Sequence, residues 1–549
     1  MTDYYDLGTY SRAITTPEPD AQLWFDRGYM WTIGFNHEAA VTCFQRALEI
    51  DPECAMAWWG VAYAAGNNYN KPWEDFDTED AAKSLTTAYD ATQEALSLTG
   101  NVSAFEADLI NALTKRYPKR TVIKDTCPWN DSYADAMRLV YQKHEQDLDV
   151  ASLFAEALMN RTPWALWDLK TGQIAKGAST TEAAKVLETA MVQTDAMSHP
   201  GLLHMYIHLM EMSPHPEKAL KAADALRGLA PDAGHLQHMP THIDVLCGHY
   251  ERVVASNQDA IIADRKFLER EGPLNFYSTY RCHDYHFKIY GAMFLGQYQP
   301  AIEAAEEMVS TLPENLLTIQ SPPMADWLEA FISMKQHVYI RFGKWQEILE
   351  QKLPKNVELF CMTVAMIHYA KSVAFAAKGN VKRAKNQAYK FEAAVEMVPD
   401  SRFLFNNSCL DILAIAREMM LGEIEYREAN YDAAFAHLRK SVELDDNMPY
   451  DEPWGWMQPT RHALGALLLE QGHVEESAAV YRADLGLDDT LSRACRHPDN
   501  VWSLMGYHDC LLKLGKTEEA KIIGQRLNLA KARTDTAVKS SCFCKMGSF

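Results

Sequence analysis

The residues whose types and spacing could do chemistry are histidines, crowded between positions 199 and 286 of the 549-residue chain. His204, His208 and Glu211 stand at i, i+4 and i+7, which at about 100° per residue puts all three on one stripe of a helix. His235, His238 and His242 follow at i, i+3 and i+7, and His283 and His286 at i, i+3. Imidazole binds copper, zinc, iron and nickel, and a site needs three or four ligands drawn from several elements. These seven histidines are therefore candidate ligands of a transition metal. An all-histidine set fits copper. Two histidines with Glu211 or Glu156 fit non-haem iron, and three histidines with an open water position fit catalytic zinc. The set holds no thiolate, which argues against a structural zinc site, and too few oxygens for magnesium or calcium. HExxH, a glycine-rich phosphate loop and GxSxG are all absent.

The elements that must position these side chains are helices. Ala, Leu, Glu and Met recur at helical spacing almost everywhere, with turns at Gly, Pro, Asn and Asp and no Val/Ile-rich alternation. The segment Gly34–Ala64 has a glycine turn, a small residue in the following helix, an Ala-Leu pair near its end and then a proline turn. It resembles the tetratricopeptide repeat. Similar turns recur at Gly248, Gly296, Gly343, Gly379, Ala429, Gly472 and Gly515. The expectation is an all-α, right-handed α-solenoid of such helix pairs. It would run continuously over residues 1–530, with loop insertions around 65–150, and end in a flexible tail over 531–549.

On the repeat's register, with Pro214 opening a turn, His204, His208 and Glu211 take first-helix positions that line the concave groove, so they should face a cleft. For His235, His238 and His242 two registers stay open. Counting back from Gly248 puts them in the groove but makes the core face Gln237, Pro240, Thr241 and Asp244. A one-residue slip restores an apolar core of Leu236, Met239 and Ile243 and moves the histidines to the flank. Pro240 should kink that helix and free a carbonyl. His37, His199, His215, His249, His368, His473 and His508 read as ordinary surface or core residues.

EALMNRTPWALW, HPGLLHMYIHLMEMS, GHLQHMPTHI, CHDYHF and YDEPWGWMQPTRHALGALL together resemble a group of long, histidine-rich tetratricopeptide-repeat proteins of bacteria and fungi. The resemblance implies the fold across nearly the whole chain, and no general activity. Peptide-binding members of the wider family clamp a carboxylate with Lys, Asn and Arg; here His and Glu hold those positions.

Composition bounds the partners. Net charge is −21 and the isoelectric point about 5.4, the wrong sign for a nucleic-acid or anionic-membrane binder. No 18-residue apolar run, basic leader or lipidation signal is evident, which points to the cytosol. The eleven cysteines read as reduced, with a Cys542/Cys544 pair a weak candidate for a soft metal. The leading expectation is an O2-using metal-dependent oxidoreductase, with copper or iron. A zinc-type hydrolase or other redox-neutral metalloenzyme and a non-enzymatic adaptor binding a peptide are the alternatives. The partner would be a small-molecule or peptide substrate in the groove, with Glu211 or Glu156 as proton acceptor, Tyr206 positioning substrate, and Trp164, Tyr280, His337 and His462 as contacts. The oligomeric state stays open.

Overall fold

A computed structural model describes residues 4–545. Helices joined by short turns make up almost all of it. The sole β-pairing longer than a single bridge among the described residues joins Phe403–Leu404 to Asn407–Ser408. No described helix is long and apolar enough to cross a membrane. The chain divides into two compact units: residues up to Ile243 with Asp259–Arg281, and Asp244–Gln258 with Cys282 onward.

In the first unit, Pro19–Ile33 packs on His37–Ile50, and Ala55–Ala65 on Thr78–Ser97. Ala104–Arg116 then packs on Cys127–Lys143, and Leu148–Met159 on Thr180–Ala190, before Pro200–Glu211 and Leu220–Leu226. The stretch 65–150 is thus mostly helix pairs rather than long loops. Asp77 accepts from the Glu79 and Asp80 amides to start one helix, and Ser103 with Glu106 forms a reciprocal cap on another. In the second unit the same pairing repeats as Cys361–Ala377 with Val381–Val395, Cys409–Arg427 with Tyr431–Asp446, Arg461–Glu470 with Val474–Asp484, and Val501–Lys513 with Thr517–Lys531.

Seven short turns are made the same way. Two residues before the second helix the backbone enters the left-handed region, at Gly248, Gly296, Gly343, Gly379, Gly472 and Gly515, with Ala429 (φ 60°) as a substitute. The first repeat departs from this, because Phe35 occupies that position with φ 55°.

The described end of the chain is not a loose tail. Arg341 Nη1 donates to the Ser541 carbonyl at 2.9 Å, the Ser541 and Tyr481 hydroxyls are 2.5 Å apart, and Cys544 joins a core cluster with Tyr426, Leu438 and Leu464. Cys542 and Cys544 form a disulfide, so they are neither reduced nor a pair of thiolate ligands. The last four residues of the expected tail lie outside the described residues.

Candidate metal centre

The site is built in the first unit around Pro200–Glu211. His199 starts this helix: its Nδ1 accepts from the Leu202 amide at 3.0 Å, and Pro200 follows with its φ already helical. The cap is itself fixed, because His199 Nε2 lies 3.0 Å from Asp149 Oδ1. That carboxylate also accepts from Tyr10 and Tyr29, at 2.7 Å each, and pairs with Arg12 at 2.9 Å. Though burial opposes it, this set of donors lowers the Asp149 pKa to about 2. His199 is thus a satisfied core residue that sets the height and rotation of the helix carrying His204 and His208.

Both of those side chains are fully buried, which overturns the expectation that they line a cleft. The cause is a long-range contact. Pro19–Ile33 reaches back to Pro200–Glu211, so the histidine stripe meets the first repeat instead of solvent. His204 Nδ1 donates to the Ile33 carbonyl at 2.7 Å, and His208 Nδ1 donates to Glu211 Oε1 at 3.0 Å. With the protons on Nδ1, the two Nε2 atoms carry lone pairs, and neither has a hydrogen-bond partner. His235, on the short helix Gly234–His238, completes the group. One ring nitrogen from each of His204, His208 and His235 lies within 4.8 Å of the others. Gly234 is needed there, since a Cβ would stand 2.2 Å from Asp264 Oδ1.

Electrostatics favour neutral ligands. Burial first, then the neighbouring imidazoles, hold the His204 pKa well below the usual histidine range; burial and His242 do the same for His208. Glu211 is buried too, which raises its pKa against the lowering effect of His242. Its second oxygen lies 2.8 Å from His242 Nδ1, so one carboxylate holds two imidazoles. His242 Nε2 in turn is 2.8 Å from His238 Nε2. Pro240 breaks the helix as expected, into Gly234–His238 and Pro240–Leu246. Neither register describes the result, because His235, His238 and His242 are as buried as Leu236, Met239 and Ile243.

Aromatic rings close the group. Phe35 lies 4.7 Å from His204, 5.8 Å from His208 and 5.5 Å from His235. Tyr69 and Trp164 lie 5.0 and 6.0 Å from His208, and Tyr280 5.0 Å from His235. Trp164, like Phe35, holds φ at 55°; such strain persists where the surroundings fix the residue. Phe35, Tyr69 and the Ile33 carbonyl carried no functional signal in the sequence. Phe35 could have been noticed as the bulky residue standing where the other turns have glycine.

Glu156 and Tyr206 lie apart from these imidazoles. Glu156 accepts from Tyr63 and, at 3.4 Å, from Asn160, and no imidazole touches it. Tyr206 donates to Glu188 at 3.3 Å, on the far side of its helix from His204 and His208, and its pKa is raised to about 12 by burial and that carboxylate. His283, His286, His337 and His462 belong to the second unit. His283 packs on Phe287 and Phe405, His286 on Phe331 and His337 on Trp456. His462 is held between Arg341 Nη2 (2.9 Å) and Asp484 Oδ2 (3.0 Å).

The tetratricopeptide-repeat family model matches residues 21–54. No curated protein sequence matches the chain. Among solved structures, a human IFIT1 dimer with m7Gppp-AAAA is similar at 10% identity, over 94% of this chain and 91% of that one, with a TM-score of 0.32. Yeast Tom70 is similar at 12% identity, over 94% and 99%, with a TM-score of 0.29. The tetratricopeptide repeat matched at residues 21–54 is one helix–turn–helix unit, and helix pairs of the same kind recur in both compact units.

Proposed function

We propose that the chain is a metal-dependent oxidoreductase whose centre is the imidazole group of His204, His208 and His235, with copper as the metal. One observation carries the reading: two fully buried Nε2 atoms lack any partner, while the opposite nitrogen of each ring is tied to a carbonyl or a carboxylate. A buried polar atom left unmatched costs about 1–3 kcal/mol. The fixed Nδ1–H is the arrangement that orients a ligating imidazole and raises its basicity. The donor set separates the metals. Both Glu211 oxygens face imidazoles, so the two-histidine, one-carboxylate set expected of non-haem iron has no carboxylate to supply. Three neutral imidazoles suit Cu(II), which binds most tightly of the divalent first-row ions.

Copper bound there would supply one-electron chemistry with O2. The chain's own residues do the rest. Glu211 holds His208 in the ligating tautomer, and Phe35, Tyr69, Trp164 and Tyr280 keep bulk water from the group. The partner is a small molecule or peptide, and the charge of −21 disfavours nucleic acid. Three imidazoles with an open position also fit zinc, and with it a hydrolase.

The test is the metal content of protein purified without a histidine tag, followed by EPR. One equivalent of an EPR-active Cu(II) ion is expected, lost in His204→Ala and in His208→Ala with helical circular dichroism intact. Stoichiometric, EPR-silent zinc would replace the redox reading with the hydrolytic one. No metal in the wild type would leave the adaptor.

A further inference from the structure

We propose that the cavity beside the imidazoles binds a compact, neutral aromatic molecule bearing an oxygen acceptor, a phenol or an aryl carbonyl, and that Phe35 is the wall between that molecule and the ring nitrogens. The claim that this ligand is the substrate rests on the metal reading above; the binding chemistry does not.

The cavity has a volume of about 290 Å3, near the small end of the roughly 300–1,000 Å3 usual for ligand pockets, so it suits one substituted ring. Phe276, Tyr277 and Tyr280 supply flat apolar surface along it. Its charges are already matched or face solvent. Lys71 pairs with Asp80 at 2.6 Å and lies over Phe76 and Phe276, while Glu38 and Lys83 are exposed. A neutral ligand is the complement.

Its polar demand is specific. Asn36 is 1% exposed; its Oδ1 caps the Ala39 amide at 3.3 Å, which leaves the amide NH2 inside the cavity wall without an acceptor. The adjacent His37 receives the Asn68 amide on Nδ1 at 3.4 Å, so its proton sits on Nε2, and the Ala64 and Thr32 carbonyls are backbone partners of the ring. Burial, with Arg116 and Lys71 nearby, lowers the His37 pKa to about 3 and keeps the ring a neutral donor. The Asn36 NH2, a donor without an acceptor, calls for a ligand oxygen.

Phe35 links the cavity to the imidazoles, because its ring borders the cavity and also packs on His204, His208 and His235. Glycine would relieve its backbone, as it does in six other turns, yet a phenyl stands there. The side chain is therefore what the position requires, and it decides how closely a bound ring approaches the nitrogens.

The experiment titrates metal-free protein calorimetrically with phenol and with toluene, which have the same ring and differ only in OH against CH3. Phenol should bind at least ten times more tightly. Asn36→Ala removes the donor, so it should erase that preference while toluene binding stays unchanged. Val41→Trp fills the cavity and should abolish both. Equal affinity for the two probes, or phenol binding that survives Val41→Trp, overturns the proposal. Should that variant fail to fold, crystals of the wild type soaked in 4-bromophenol decide: a bromine anomalous peak beside Asn36 is expected, and bromine bound only elsewhere overturns it. Because the titrations use metal-free protein, phenol binding in a chain that never takes up metal would sink the metal reading alone.

Discussion

Each unit buries a knot of histidines, and the two knots differ in how their nitrogens are matched. In the second unit Asp484 is a hub: it accepts from His462 Nε2 at 3.0 Å, His497 Nδ1 at 2.8 Å, Asn500 at 2.9 Å and Ser503 at 2.6 Å. The remaining nitrogens are also engaged, His462 Nδ1 by Arg341 and His497 Nε2 by the Tyr290 hydroxyl at 3.2 Å. In the first unit, His204 and His208 each leave Nε2 unmatched. The same residue type under the same burial is a structural network in one place and leaves nitrogens without partners in the other. What distinguishes them is the accounting of donors and acceptors, which burial alone does not reveal.

The largest expected effect breaks the satisfied knot. Asp484→Ala strands four buried donors, and urea unfolding should show a loss of about 3–5 kcal/mol. His204→Ala in metal-free protein removes one hydrogen bond, to Ile33, and should cost about 1–3 kcal/mol. If the two variants lose equal stability, the distinction between hub and ligand set fails.

Metal should act on the other side of the comparison. Copper at a hundred to a thousand times its Kd should stabilise the protein by about 2.7–4 kcal/mol, and His204→Ala should abolish that gain while Asp484→Ala retains it. Glu211→Gln keeps the shape but weakens the grip on His208, so metal affinity should fall about 10–100-fold. An unchanged affinity would reduce Glu211 to a bystander.

These contrasts explain what was legible in the sequence. Helix pairs follow from local signals, a positive-φ residue at the short turns and apolar stripes on the helices, and so the all-α architecture could be read. The capping signals at Asp77 and Ser103–Glu106 were equally local, though the unusual composition of 65–150 hid them behind Pro, Asn and Trp. For the site, spacing placed His204 and His208 on one stripe and put His235 among seven candidates. It could not show that residues 33–35 fold onto that stripe, because a contact spanning 171 positions has no local period. The same gap left Glu156 and Tyr206 in the candidate list: helical spacing gives a side chain's direction and says nothing of the Tyr63 or Glu188 that meets it.

Phe35 tests that long-range closure directly. Phe35→Gly removes backbone strain of about 1–3 kcal/mol, but loses a buried ring whose truncation usually costs about 3–5 kcal/mol. A net destabilisation of about 1–3 kcal/mol is expected by urea unfolding. A more stable variant would mean that the ring packs poorly on the imidazoles.

The smallest effect concerns the least matched rings, the second unit's His286 and His337, whose four ring nitrogens are all buried and unmatched. Burial lowers the pKa of each to about 3, helped by His337 in one case and by Arg341 in the other. In the unfolded chain both titrate near 6.5. Above pH 6.5 neither state binds the proton, and the stability these rings allow is fully present. Below it the unfolded chain takes up protons that the native protein refuses, so stability falls with pH until about 3. One unit below 6.5 the loss is about 1 kcal/mol per ring. Urea unfolding at pH 7.5 and 5.5 measures it, with His337→Phe as the control. The variant should lose about 1 kcal/mol less than the wild type over that interval. An identical pH dependence in the two would mean that His337 takes up a proton in the native fold, and that its nitrogens are not isolated.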